Sequence, residues 1–407
     1  MNITLQKSKI AKASIVKITG SKSESNRLLL LQALYPNIEI SNVSNSDDSK
    51  LMQKALSSDS SIVDIHHAGT AMRFLTAYFS LQEGREITLT GSSRMQERPI
   101  KILVDALRDL GADISYLKNE GYPPLKIKGH TLTKHQVTLA ANVSSQYISA
   151  LLLIAPRLKK GIELILKGKI TSVPYIKMTL NLLEQIGVIT SFEDNKIIVN
   201  PINEVAAKKL VVESDWSSAS YFYSIVALSN VGTKIELSSY KLNSLQGDSV
   251  LSTIYKDFGV ETVFNNTSIT LTKVDSQLNN VSYNLANAPD IAQTIAITCL
   301  GLGVSCHLTG LHTLKIKETD RLAALKAEIE KFGTQVEISN DSLTVSKINL
   351  LASKVDVETY HDHRMAMAFA PLAIKTTFNI LEANVVTKSY PDFWNDLKNI
   401  GFNFTEF

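Results

Sequence analysis

The residues of this chain best placed to do chemistry are polar and charged ones standing directly ahead of strongly apolar runs. TGSKSES precedes NRLLLLQAL, HHAG precedes TAMRFLTAYF, and NVS precedes SQYISALLLIA. VESDW, NAP and TYHDH stand in the same way before SSASYFYSIVAL, DIAQTIAITCL and RMAMAFAPLAI. Runs that apolar fold as helices buried on all sides. Their first turns leave N–H groups without intrahelical partners at the positive end of the helix dipole. Six such ends brought together would attract anions. Any one segment reads equally well as an N-cap, since Ser, Thr and Asp cap well. Six together, several carrying Lys or Arg, favour an anion site. Other chemistries find no support: GxxxxGK[ST], HExxH and GxSxG are absent, and the nearest approach to GxGxxG has Cys306 in the last position. His66–His67 and His361–His363 lack a cysteine or carboxylate cluster at ligand spacing, so no metal and no cofactor is expected.

The elements that must position these segments repeat along the chain. An amphipathic helix ending in glycine and followed by a short strand appears at Leu103–Ile114, Leu180–Ile189, Val250–Val263, Leu325–Ile338 and Phe393–Phe402. Its glycines, Gly111, Gly187, Gly259, Gly333 and Gly401, are 76, 72, 74 and 68 residues apart. Glycine takes the left-handed conformation that ends a helix. The apolar helices interleave at steps of 75, 72, 73 and 74 residues from Thr70 onward, after one short step of 44 from Asn26. Two helices and β-rich residues per seventy predict an α/β fold of about six β-α-β-α-β-β units, the first having lost a hairpin.

Composition agrees. With 407 residues, 44% hydrophobic and 20% charged, two or three globular domains are expected. No apolar stretch approaches the roughly 18 residues of a spanning helix, so no membrane is expected and a cytoplasmic location follows. A net charge of +3 is too small to imply nucleic acid. Cys299 and Cys306 read as reduced core residues.

The motif-bearing segments resemble those of EPSP synthases. Gly20–Arg27 (GSKSESNR) is similar to the family's N-terminal signature, and Ala68–Arg73 (AGTAMR) with Arg94–Pro99 (RMQERP) to its second. NVSSQ (142–146), SVPY (172–175), QGD (246–248), KETDR (317–321), DHRM (362–365) and KSYPD (388–392) follow in the family's order. The resemblance implies two domains, each of three repeated units, with the active site in the cleft between them. Residues 20–213 would form the shikimate 3-phosphate side. Residues 1–19 with 214–407 would form the other domain, carrying the catalytic carboxylates and phosphoenolpyruvate-binding basic residues. It implies transfer of the enolpyruvyl group of phosphoenolpyruvate to the 5-hydroxyl of shikimate 3-phosphate through a tetrahedral intermediate, by a monomer.

Two phosphates and two carboxylates call for forked arginines and point-charge lysines. By family similarity Lys22, Arg94, Arg321, Arg364 and Lys388 hold phosphoenolpyruvate, with Gly69 and Gln146 beside it. Lys22, Ser23, Arg27, Ser144, Ser145, Gln146, Ser172, Asp290 and Lys317 hold shikimate 3-phosphate. The reaction moves a proton off the 5-hydroxyl and another onto C3, then reverses both, which suits two carboxylates with separately set protonation states. The resemblance places Asp290 at the shikimate hydroxyls and Glu318 near C3, and counts Lys22 with them as catalytic. Read alone, Asp290 is a first-turn acid after Pro289, and Glu318 part of a salt-bridged helix start. His67, Phe74, Lys177 and Thr313 depart from the family's common residues. The sister transferase acting on UDP-N-acetylglucosamine uses a cysteine in a loop, whereas both cysteines here lie in or beside an apolar helix. A non-catalytic phosphate-ligand sensor would dispense with Asp290, Glu318 or Lys22.

Overall fold

The computed structural model describes residues 1–140, 144–168, 170 and 173–407, so Asn142, Val143 and Ser172 of the motifs above lie outside the described residues. The chain divides into two units: Gly20–Val212, and Met1–Thr19 with Glu213–Phe407. Glu213, assigned from sequence to the first of these, belongs to the second. There its carboxylate accepts from Trp216 Nε1 at 2.9 Å, from Lys241 N at 2.9 Å and from Ser244 Oγ at 2.7 Å.

Each unit is a set of small sheets sharing one plan. In the Gly20–Val212 unit, Ile62–Asp64 pairs in parallel with Glu86–Thr90, and Leu125–Lys128 and Asp113–Tyr116 add antiparallel in turn. Gln136–Ala140, Ile162–Lys167, Lys196–Val199 and Thr190–Glu193 repeat that order. In the other unit it recurs from Ala13–Val16 and Lys234–Ser238, from Val281–Asn284 and Cys306–Thr309, and from Asp356–Val357 and Phe378–Ile380. A parallel pair needs a crossover rather than a hairpin, and the apolar helices Gly69–Ser80, Ser145–Ile154, Ala292–Leu302 and His363–Phe369 lie within such crossovers. Among the described residues the sixth sheet has two strands, Ile38–Ser41 parallel to Lys208–Val211, and lacks the antiparallel hairpin of the other five, as the short first repeat predicts.

Two strands stand apart from the helices that neighbour them in sequence. Ala13–Val16, just before helix Lys22–Leu34, pairs with Lys234–Ser238. Lys208–Val211, just before helix Trp216–Leu228, pairs with Ile38–Ser41. Each end of the inserted unit therefore leaves its neighbouring strand in the opposite unit.

The apolar helices are buried as their composition demands: every residue of Gly69–Ser80 is buried, and all but Ser217 of Trp216–Leu228. Gly69–Ser80 packs on Ser145–Ile154, and Ala292–Leu302 on both Trp216–Leu228 and His363–Phe369. The amphipathic helices Lys101–Leu110 and Phe393–Ile400 end on Gly111 and Gly401 at φ 108° and 113°, where a side chain would be strained. Among the described residues no helix is long and apolar enough to cross a membrane.

Candidate active site

The discontinuous unit gathers its expected residues into one cluster. Asp320 caps helix Arg321–Glu330 by accepting from Leu322 N and Ala323 N, both at 3.1 Å, which sets Arg321 at the first helical position. From there the buried guanidinium reaches three carboxylates. Nε donates to Asp362 Oδ2 at 2.6 Å, Nη1 to Asp290 Oδ1 at 2.9 Å and Nη2 to Glu318 Oε2 at 2.8 Å. Asp362 caps helix His363–Phe369 by accepting from Arg364 N at 2.9 Å. Arg364 Nη2 lies 3.3 Å from Asp290 Oδ2 and also donates to Ser217 Oγ at 3.2 Å. Lys317 Nζ stands 3.6 Å from Asp290 Oδ1, and Lys388 Nζ 3.0 Å from Glu318 Oε1. Four segments distant in sequence thus supply four cations and their carboxylates.

The charges set one another's states. Burial by itself would raise the Asp290 carboxyl, but Arg364, Lys317 and Arg321 together hold it well below the ordinary carboxylate range. Burial likewise opposes the charge of Arg321, and Asp362, Glu318 and Asp290 more than compensate, so it stays protonated. Asp248 goes the other way: burial, joined by repulsion from Asp290, pushes it up to about 7 against the pull of Arg364. One carboxylate of the cluster is therefore firmly ionised and another is poised near neutrality.

The Gly20–Val212 unit holds the remaining residues. Lys22 opens helix Lys22–Leu34, and its Nζ stands 3.4 Å from the buried Asp48 Oδ2. Ser144 caps helix Ser145–Ile154 by accepting from Gln146 N, and Gln146 Nε2 donates to Thr70 Oγ1 at 3.2 Å, joining that helix start to the one at Gly69. Neither Ser21 before Lys22–Leu34 nor Ala68 before Gly69–Ser80 makes a side-chain capping bond to its helix. Ser23 carbonyl oxygen accepts from Arg27 Nη1 at 2.7 Å.

Arg27 and Arg94 differ sharply in their surroundings. Arg27 is 2% exposed and uses four of its five N–H groups internally, on Thr179 Oγ1, Ser149 Oγ, and the Ser23 and Tyr175 carbonyls. Burial lowers its pKa to about 10, and its guanidinium lies 5.4 Å from the Phe74 ring centre. This geometry makes Arg27 a brace between helices. Arg94 points outward instead, its side chain 60% exposed and paired with Glu97 at 3.0 Å. The arginine against the helix start is Arg98: a Cβ on Gly69 would sit 2.6 Å from its Nη1. Arg73 backs the same corner, donating to Gly69 O at 3.0 Å and Pro99 O at 3.2 Å.

Sequence reasoning gave no role to Arg98, Asp362, Asp248 or Ser217, which the structure places against the expected residues. Arg98 shares the RMQERP segment with Arg94, Asp362 sits in DHRM and Asp248 in QGD, so the motifs held the signal without distinguishing the roles.

Comparison with known proteins bears on the same residues. A sequence model described as EPSP synthase (3-phosphoshikimate 1-carboxyvinyltransferase) matches residues 53–397. A 3-phosphoshikimate 1-carboxyvinyltransferase of Bacteroides fragilis (strain YCH46) is 48% identical over 393 residues, covering 95% of each chain. One from Photobacterium damsela subsp. piscicida is 36% identical over 415 residues, covering 95% of this chain and 96% of that protein. In fold, the chain is similar to the EPSP synthase of Acinetobacter baumannii, with TM-score 0.84, 20% identity and all of both chains covered. It is also similar to the enolpyruvyl transferase NikO of Streptomyces tendae, with TM-score 0.76, 12% identity and 99% and 98% covered. The matched span takes in Arg98, Asp290, Glu318, Arg321, Arg364 and Lys388, and with the extent of identity it means that the chain belongs to the EPSP synthase (3-phosphoshikimate 1-carboxyvinyltransferase) family.

Proposed function

We propose that this chain transfers the enolpyruvyl group of phosphoenolpyruvate to the 5-hydroxyl of shikimate 3-phosphate, releasing inorganic phosphate. The observation that carries the reading is the pairing of two carboxylates with different partners: Asp290 among Arg321, Arg364 and Lys317, and Glu318 between Arg321 and Lys388. The 5-hydroxyl oxygen attacks C2 as its proton passes to Asp290, while C3 takes a proton from the Glu318 side. The resulting tetrahedral intermediate then loses a C3 proton and breaks its C2–O bond to phosphate, restoring the double bond.

Asp290 held so far below its usual range is a weak base at rest. An anionic substrate that draws Arg364 and Lys317 to itself restores that basicity, so the proton acceptor becomes competent when its substrates are bound. Arg364, Lys388, Arg321 and Lys22 hold phosphoenolpyruvate in this reading. Arg98, with Gly69 and Gln146 beside it, takes the place that sequence assigned to Arg94. Ser23, Ser144, Ser145, Ser172 and Lys317 serve shikimate 3-phosphate, and Arg27 braces the first helix turn through the Ser23 carbonyl. The reading carries with it a cytoplasmic, monomeric enzyme.

The sister reaction on UDP-N-acetylglucosamine is disfavoured. Both thiols are buried, which keeps them from a substrate, and burial with the neighbouring Cys306 pushes Cys299 far above the usual thiol range. Phosphate release from phosphoenolpyruvate, measured with shikimate 3-phosphate and separately with UDP-N-acetylglucosamine, tests the assignment. Release with the first acceptor alone is expected; release with the second alone reverses it.

A further inference from the structure

Asp248 belongs to none of the roles above, yet it is built into the cluster. It lies in the short turn Gly247–Val250, 4% exposed. Gln246 locks that turn in place: its Oε1 accepts from Trp216 N at 2.9 Å and its Nε2 donates to Ser214 O at 2.9 Å. The Ser217 hydroxyl donates to Asp248 Oδ2 and accepts from Arg364 Nη2 at 3.2 Å. The same Nη2 is shared with Asp290 Oδ2 at 3.3 Å. Arg364 is therefore held between Asp290 on one side and, through one hydroxyl, a second buried carboxylate on the other.

We propose that Asp248 is a positioning residue for the transfer reaction: through Ser217 it competes with phosphoenolpyruvate for Arg364, so its charge sets how tightly that substrate is held. This rests on the reading of Arg364 as a phosphoenolpyruvate ligand. The charged groups acting on Asp248 are Asp290 and Asp215, which oppose its ionisation, and Arg364, which with the Ser217 hydrogen bond favours it. Burial weighs most and moves its titration to about 7. Below that pH Asp248 is neutral and Arg364 is released to the substrate. Above it the ionised carboxylate draws the guanidinium back. Binding that removes Arg364 also removes a stabiliser of the ionised form, so Asp248 takes up a proton when phosphoenolpyruvate binds.

The test uses the full chain with shikimate 3-phosphate saturating. KM for phosphoenolpyruvate is followed from pH 6 to 8 in the parent, Asp248→Asn and Ser217→Ala. Titration of the substrate itself is common to all three and cancels in the ratio of parent to variant. That ratio is expected to climb about fivefold across the range for Asp248→Asn, as for a modest coupling between sites, and in the same direction for Ser217→Ala. Calorimetry of binding at pH 7 in two buffers of different ionisation enthalpy should show proton uptake in the parent that Asp248→Asn lacks. Thermal melts monitor folding. Because the folded carboxyl titrates at about 7 rather than near 3.8, the parent loses stability as pH rises between those values and levels off above, so the advantage of Asp248→Asn should be nearly complete by pH 7 and persist at pH 8. Parallel KM profiles with equal proton uptake, in a variant showing that gain, would make Asp248 a brace only and overturn the proposal. Absence of phosphate release in the parent overturns the underlying reading instead, and the melts separate the two failures.

Discussion

Replacing Arg321 by glutamine removes the centre of the carboxylate cluster, and the contacts dictate how much that should cost. Asp290 would keep Arg364 and Lys317 at 3.3 and 3.6 Å, and Glu318 would keep Lys388 at 3.0 Å. Asp362, fully buried, would keep Arg364 N at 2.9 Å and the His363 ring at 3.7 Å but lose the Arg321 guanidinium. One uncompensated buried carboxylate, not three, remains, and removing one partner of a buried pair costs about 3–5 kcal/mol. At about 2–4 °C per kcal/mol for a unit of this size, the melting transition of that unit should fall by roughly 6–20 °C. Differential scanning calorimetry on the full chain at pH 7 reads this directly, with Arg321→Lys alongside. Lysine restores the charge without the fork, so it should recover part of the loss and leave kcat depressed. A glutamine variant melting within 2 °C of the parent with undiminished turnover would refute the claim that Arg321 organises the three acids.

Two further perturbations separate roles that the geometry distinguishes. Asp290→Asn and Glu318→Gln should each lower kcat by roughly 10²- to 10⁴-fold with a cooperative melting transition, shifted down in Asp290→Asn because three cations stabilise its ionised form; a folded variant keeping half the parent kcat removes that residue from proton transfer. Arg98→Ala should weaken phosphoenolpyruvate binding by the value of a charged hydrogen bond, about 1.5–3 kcal/mol. Arg94→Ala, which removes an exposed pair, should leave that binding nearly as it was; equal losses in calorimetry would return Arg94 to the site.

The repeat was legible because its signals are local. Helices apolar on every side, and amphipathic helices stopped by Gly111 or Gly401, follow from composition and left-handed backbone alone. The 44-residue step that reads as a lost hairpin is the two-stranded sheet of Ile38–Ser41 and Lys208–Val211. That Ala13–Val16 and Lys208–Val211 pair away from their sequence-neighbouring helices depends on partners over a hundred residues off, which no local pattern encodes. Motif spacing brought Asp290, Glu318, Arg321, Arg364 and Lys388 into view as a group. It could not choose between Arg94 and Arg98, because the helix Ser93–Gln96 ends between them and breaks the periodicity that would relate their directions. It also could not show that Arg27 turns inward, since the acceptors that turn it, Ser149 and Thr179, lie more than a hundred residues further on. Asp248 escaped because its importance comes from one hydroxyl, Ser217, placed by a different helix.

Phosphate release bears most directly on the central claim. Purified protein given phosphoenolpyruvate and shikimate 3-phosphate should release one phosphate for each phosphoenolpyruvate consumed, require both substrates, and lose that activity in Asp290→Asn. No release that depends on shikimate 3-phosphate, or equal release from the parent and Asp290→Asn, would contradict the account.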